Sequence, residues 1–461
     1  MGGNDLLNSD FVSDDFVGPK SPWWVQLGQL IANPIGFLTD CGTRYGDRFT
    51  LSILGPKSPP LVFLSNPDEI GAVFGPLASA LEFGKVTQVF LPLVGSQSLI
   101  MQQGDRHQRQ RQLLMPAFHR ESLLRQGELI CSLTRDQMAN WKLGDRINIR
   151  QEMSQISLRV ILEVVFGLAP GVRYEALRSR LEKLLDQITD PLYSVQFFLP
   201  PLQQNLGAWS PWGRFQVQMA EIDQLIYAEM NDRRSALDGL ETSLEERTDI
   251  LSMLMLAKDS DGNAMPDVEL RDQLITLLLL GHETTASSLS WAFYWIHRDP
   301  MILKKLRSEI APLSHDPIPL SEQPYLTAVC KESLRLQPIA LIAQPRQVKE
   351  TVTWADRTYP KGTVLIPCIQ TAHQREATYP NPKEFKPDRF LERKYSPSEF
   401  LPFGGGSRSC VGMALSLFEM KLVLATVLDQ FQFKSNLVNP VKADRRGITF
   451  VPPESFRLTI V

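Results

Sequence analysis

Apolar positions recur along most of this chain at the three- and four-residue spacing of an amphipathic helix. The stretches 104–140, 150–168, 214–236, 267–298, 322–336 and 411–431 all carry that pattern and predict helices. The run from Asp267 to His297 is the longest, roughly 45 Å if continuous. Its middle, LITLLLLGHETTASSLSW, is apolar nearly all round, which predicts a helix through the core rather than across its surface. Asp267 after Pro266 supplies a start signal. Strand patterns are few. FTLSIL (49–54) and PPLVFLS (59–65) predict a hairpin around Gly55, and TVTW (351–354), TVLIPCIQ (363–370) and the closing FRLTIV predict further strands. The expected fold is mainly α: a large helical domain with small β-sheets at one edge. No repeat of fixed period and no low-complexity linker interrupts it. One domain is therefore expected over residues 21–461, behind a loose tail at 1–20.

Composition adds limits rather than direction. Of 461 residues, 43% are hydrophobic and 21% charged, which suits a folded chain able to bury a large core. A net charge of −3 gives no basic bias toward nucleic acid. Arginine is nonetheless concentrated locally: Arg106, Arg109, Arg111, Arg120 and Arg125 face only Asp105 and Glu121 in that stretch. This reads either as a solvated helix face or as a site for anions. The N-terminal segment is polar and acidic, with no secretory leader pattern, and no run of about 18 apolar residues marks a membrane span. A cytoplasmic monomer is expected, with no transmembrane anchor and at most a weak peripheral contact with a membrane.

The cysteines change the picture. Cys41, Cys131, Cys330, Cys368 and Cys410 are odd in number, scattered, and free of CxxC or CxxCH pairs. That argues against a disulfide framework, a zinc knuckle and covalent haem attachment. Only Cys410 has a special setting, FGGGSRSCVG (403–412), followed at once by the helical pattern MALSLFEMKLVLATVL. A helix start favours a thiolate. Gly404, Gly405 and Gly406 let backbone approach a flat ligand, Arg408 can meet a carboxylate, and Phe403 can shield the sulfur. A phosphate loop is the rival reading, although no GKS/T follows, and a buried structural cysteine is another.

FxxGxRxCxG is the signature of the cytochromes P450. The chain resembles that family at every fixed position, Phe403, Gly406, Arg408, Cys410 and Gly412, and the likeness extends over roughly residues 20–461. The resemblance implies haem b with Cys410 as its axial thiolate. It implies that Glu332 and Arg335 of KESLRLQP, with Arg389 of FKPDRF, form a structural triad beneath the thiolate loop; Asp388 stands where the family usually has Glu. LGHETT (280–285) resembles the oxygen-activation segment, with Glu283 and Thr284 as acid and alcohol. A Thr hydroxyl bonded to the carbonyl four residues back is expected to open the helix locally. Leu280 departs from the usual Ala or Gly and is expected to crowd the space over the haem, while His282 is expected to turn away from the iron. His107, Arg111, Arg346 and Arg408 are implied as propionate partners.

The function implied is a monooxygenase that inserts one atom of O2 into a C–H bond or alkene. Electrons would come from a separate ferredoxin or flavodoxin, drawn to the remaining arginines of 106–125. A peroxygenase, a thiolate-haem isomerase and a non-catalytic haem sensor are the alternatives, and the Glu283–Thr284 pair favours the monooxygenase. Ile275, Leu278, Leu279 and Leu280, with Ile339, Ala340 and Leu341, are the expected apolar lining, and 191–209 matches an access lid in position. A small apolar organic substrate is expected: first a long-chain fatty acid, then a terpenoid or retinoid-like polyene.

Overall fold

The computed structural model describes residues 17–56, 58–83, 85–238, 248–313, 316–435, 440–447 and 449–461. The tail expected at 1–20 lies outside them as far as residue 16. The chain divides into two compact units. The first comprises Met1–Val86, Ala340–Lys386 and Glu392–Cys410, the second Thr87–Ile339, Pro387–Leu391 and Val411–Val461.

The first unit is built on a five-stranded sheet in the order Arg48–Leu51, Leu61–Leu64, Val364–Pro367, Arg346–Val348, Leu81–Glu82. The expected hairpin is its edge. Arg48–Leu51 pairs antiparallel with Leu61–Leu64, and Phe49 stacks on Phe63 with ring centroids 5.2 Å apart. Leu61–Leu64 then pairs in parallel with Val364–Pro367. All four residues of Leu61–Leu64 are buried, as befits an interior strand covered on both faces. Val62, Leu64, Ile70, Leu365 and Leu401 share the core beneath the sheet. The TVTW segment forms a separate two-stranded ribbon, Val352–Trp354 with Arg357–Tyr359.

The second unit is helical around Asp267–Ile296, a 30-residue helix with most of its side chains buried. Helices Ile149–Val160, Pro324–Leu336 and Met413–Gln430 pack on it, and Gly127–Met138 packs on Met413–Gln430. A buried helix must satisfy its polar side chains internally. Thr284, Ser287, Ser288 and Ser290 do so by donating to the carbonyls four residues back, at 2.6–2.8 Å. These bonds do not open the helix, which is continuous through Thr284, contrary to the expected local break. The hydroxyls share carbonyls with the backbone ladder rather than displacing it. Asp267 also differs from expectation: Pro266 is the N-cap, and Asp267 is the first helical residue, paired with Arg234. The C-terminal FRLTIV strand, Leu458–Ile460, lies between Arg146–Ile147 and Phe433–Ser435.

The helix expected over 104–140 is in fact four pieces: Gly104–Leu114, a 3-10 turn Met115–Phe118, Arg120–Leu124 and Gly127–Met138. Pro116 lacks the N–H that would continue the α-helical ladder, and His119 is extended at ψ 153°. The pattern of 150–168 likewise changes winding, from Ile149–Val160 to a π-turn at Ile161–Val165.

Candidate active site

Four of the five cysteines are buried and one, Cys410, is exposed. Burial pushes the thiols of Cys41 and Cys330 up, to about 11 and about 12, and raises Cys131 and Cys368 as well. They are inert packing residues. The Cys410 loop is closed by its own backbone: Cys410 N–H donates to the Phe403 carbonyl at 2.9 Å, and Gly404 N–H to Leu401 at 3.0 Å. His373, which the sequence reading did not single out, anchors this loop. It is fully buried, stacks on Phe400, and accepts the Leu401 N–H at its Nε2, 3.1 Å away. The glycines have a local reason too. A Cβ on Gly405 would fall 2.2 Å from the Phe74 ring, and Gly406, at φ +64°, would place one 3.0 Å from the Phe74 carbonyl. The loop is pressed onto Phe74 as well as bared of side chains.

In the same unit, Arg346 and Arg408 flank the Phe83 ring, their guanidinium carbons 3.9 and 4.0 Å from its centroid. Arg346 is buried and, among the described residues, donates only to the carbonyls of Gln344 and Pro345. Burial, with Arg408 adding repulsion, brings its guanidinium down to about 9. A buried cation beside a second one, with carbonyls alone as hydrogen-bond partners, suits an anionic ligand group. With an exposed thiol two residues after Arg408, these residues fit a haem with its carboxylates.

The second unit holds the remaining candidates except Ala340 and Leu341, which belong to the first. Glu332 and Arg335 are fully buried and joined by two bonds of 2.7 and 2.8 Å, and Arg389 Nε reaches the same carboxylate at 3.0 Å. Asp388, at the departed position, instead pairs with Lys305 at the surface. His107 and Arg111 stand one turn apart on Gly104–Leu114, His107 buried and Arg111 partly so. Arg109 is tied to Asp259 and Glu269, and Arg120 to Glu322, which leaves fewer open charges in 106–125 than the sequence implies. Gly412 is the N-cap of Met413–Gln430.

On the long helix, Thr284 donates to the Leu280 carbonyl at 2.7 Å, so its oxygen remains an acceptor. Glu283 is nine-tenths buried and lies 3.5 Å from Arg446, which also reaches Asp186 and Thr189. Burial raises its carboxyl, with Arg446 and Arg150 holding it back. Arg446 sits on the Asp444–Arg446 strand, where nothing in the sequence marks it. His282 is held by its ring to the Ser154 carbonyl at 2.9 Å, and burial lowers it to about 4, so it is neutral. The expected lining residues Ile275, Leu278 and Leu279 are buried. Between its first and last turns, the incompletely covered positions are Leu277, Leu280, Gly281 and Thr284, spaced three, one and three apart along one stripe. Ile339 and Leu341 are buried and Ala340 exposed.

The profile of the cytochrome P450 family matches residues 17–460. Cytochrome P450 135B1 of Mycobacterium tuberculosis (strain ATCC 25618 / H37Rv) is 35% identical over 444 residues, covering 96% of this chain and 90% of that protein. Cytochrome P450 135A1 of the same strain is 33% identical over 448 residues, covering 96% and 94%. Among solved structures, the retinoic acid bound cyanobacterial CYP120A1 is similar in fold, with a TM-score of 0.79 at 22% identity over 97% of this chain and 99% of that one.

Proposed function

The chain belongs to the cytochrome P450 family, and we propose that it acts on a long apolar substrate, a fatty acid first. Membership makes it a haem b monooxygenase, an oxidoreductase that uses O2 and external electrons. Bound through a thiolate, the haem supplies the activation of O2 that no side chain can.

The assignment of roles to residues is our own. The observation that carries it is the sole exposed cysteine, on a loop closed by its own backbone. Cys410 would hold the haem iron through its thiolate, with Phe403 and Gly412 flanking it in the chain. Arg346 and Arg408, with His107 and Arg111, hold the propionates. Glu332, Arg335 and Arg389 brace the fold around the loop. Thr284 presents an acceptor oxygen, and Glu283, its carboxyl raised by burial, is the proton source beside it. Leu280 and Leu277, on the open stripe of the long helix, bear on the substrate with Ile275, Leu279, Ile339, Ala340 and Leu341 as the apolar surround. A ferredoxin or flavodoxin delivers electrons, and exposed Arg106 and Arg125 are its attractants. Among the described residues no helix is long and apolar enough to cross a membrane.

Two spectra test this. The reduced, CO-bound protein should show the thiolate-type Soret band, and Cys410→Ser should lose it; haem-loaded protein without that band overturns the ligand assignment. Long-chain fatty acids should shift the resting Soret band. The ligand named for the structural neighbour makes retinoids the second arm of that screen. A shift with terpenes and none with fatty acids would reverse the ranking.

A further inference from the structure

The open stripe of the long helix stops at a definite residue. Gln273, Leu277, Leu280 and Thr284 are spaced four, three and four apart, one row on one face. The last three are incompletely covered, whereas Gln273 is 1% exposed. The stretch Gly95–Leu99, which follows the short helix Leu91–Val94, lies against it. Gln273 Oε1 accepts the Leu99 N–H at 3.0 Å, and its Nε2 donates to the Gln97 carbonyl at 2.8 Å. Both ends of one side-chain amide thus grip the same backbone.

Two neighbours on the helix hold that backbone as well. Asp272 accepts the Gln97 N–H at 2.8 Å, and Arg271 holds the same carboxylate, also at 2.8 Å. Gly95 passes so close that a Cβ there would fall 2.2 Å from the Asp272 carboxylate, and its φ of +82° disfavours any side chain. Thr276 donates its hydroxyl proton to the Asp272 carbonyl. The 2.7 Å contact between the Ser98 and Thr276 hydroxyls therefore takes its proton from Ser98. A buried polar network paired in this way is rigid.

We propose that Gly95–Leu99 is a fixed end stop of the substrate space, and that Gln273 sets how long a chain fits along the row. Thr284 and Gln273 are roughly 16 Å apart at the rise of an α-helix. A chain lying along Leu280 and Leu277 meets pinned backbone at Gln273 instead of open space. The proposal rests on the reading that the open stripe bears on the substrate, and adds which end is closed and by what. Gln273 determines specificity and takes no part in the chemistry.

The test uses haem-loaded protein and 1-alkylimidazoles of increasing chain length, whose ring nitrogen binds haem iron and whose tail probes the row. Affinity, read from the Soret shift, should rise about fourfold per methylene, the gain for burying one, and stop rising at one chain length. In Gln273→Ala the rise should continue to longer chains. Hydrogen exchange needs no ligand. The wild-type amides of Gln97 and Leu99, outside any helix or strand, should be protected like those of the long helix. Gln273→Met, which keeps the bulk and loses both bonds, should speed exchange at Leu99 about fivefold, the equivalent of one ordinary hydrogen bond. A wild-type series without a break, the same break in Gln273→Ala, or fast exchange at Leu99 in wild type overturns the proposal. The probes carry no carboxylate, so a break that moves while fatty acids give no shift sinks the fatty-acid ranking and leaves the end stop standing.

Discussion

Glu332 serves two arginines with one carboxylate, and all three side chains are shut away from water. Such a group is far more costly to break than to build, because removing the acid strands two buried cations. Glu332→Gln should therefore cost about 3–5 kcal/mol, read as a lowered urea midpoint together with poor haem recovery. Arg346 is the opposite case, a buried cation whose donors, among the described residues, reach only carbonyls. Arg346→Leu should leave the urea midpoint of haem-free protein unchanged or raised while lowering the haem retained after gel filtration. Equal haem retention would remove Arg346 from the ligand set. At this scale the sequence was readable wherever the chemistry is written in a contiguous run. Cys410 and its glycines stand in ten residues. Arg446 and His373 were not readable, because each acts across the chain, on Glu283 and Leu401 respectively, and neither stands in a distinctive neighbourhood.

The long helix was legible as an element because its apolar run exceeds anything a surface helix needs. Its accessible stripe was not, since a helix apolar all round gives no phase, and only packing reveals that Leu277 and Leu280 are less covered than Ile275. The broken helix at 104–140 was overrun for the converse reason: the apolar period continues across Pro116 while the backbone does not. Gly281 gives this helix a tolerance that can be measured. A Cβ there would stand 3.0 Å from Cδ1 of Ile161, the far end of a flexible side chain. Alanine also gains about 1 kcal/mol of helix propensity over glycine. Gly281→Ala should thus be nearly neutral in thermal unfolding, Gly281→Val destabilising, and Ile161→Val should relieve the latter. An unrelieved double variant would locate the clash elsewhere.

For the whole molecule, buried titratable groups set a pH window. His282 and His297 are lowered by burial from 6.5 to about 4. Below pH 6.5 the unfolded chain takes up protons there that the folded one refuses until about 4, so stability falls as the solution is acidified. Glu419 is raised from 4.5 to about 8. Between those values the unfolded chain has released a proton that the folded one retains, so stability falls as pH rises. Of these three groups, the two histidines outweigh the glutamate below pH 6.5, and the glutamate alone acts above it. Thermal midpoints should peak near pH 6.5, and Glu419→Gln should flatten the alkaline side and steepen the acid side, where the glutamate no longer opposes the histidines. The fold class was legible because helical periods dominate the sequence. The division into two units was not, since the first is assembled from three separated stretches of chain.

The unequal exposure of the five sulfurs makes the protein its own gauge of loading. In native haem-free protein a maleimide should alkylate one thiol, because four are sealed and held protonated. In haem-loaded protein the count should fall toward zero as the metal occupies Cys410. Counting labelled thiols by intact mass thus measures site occupancy without absorbance or turnover. A molecule labelled before it acquires haem is permanently spent, so oxidants and electrophiles would select against apoprotein while sparing the assembled enzyme.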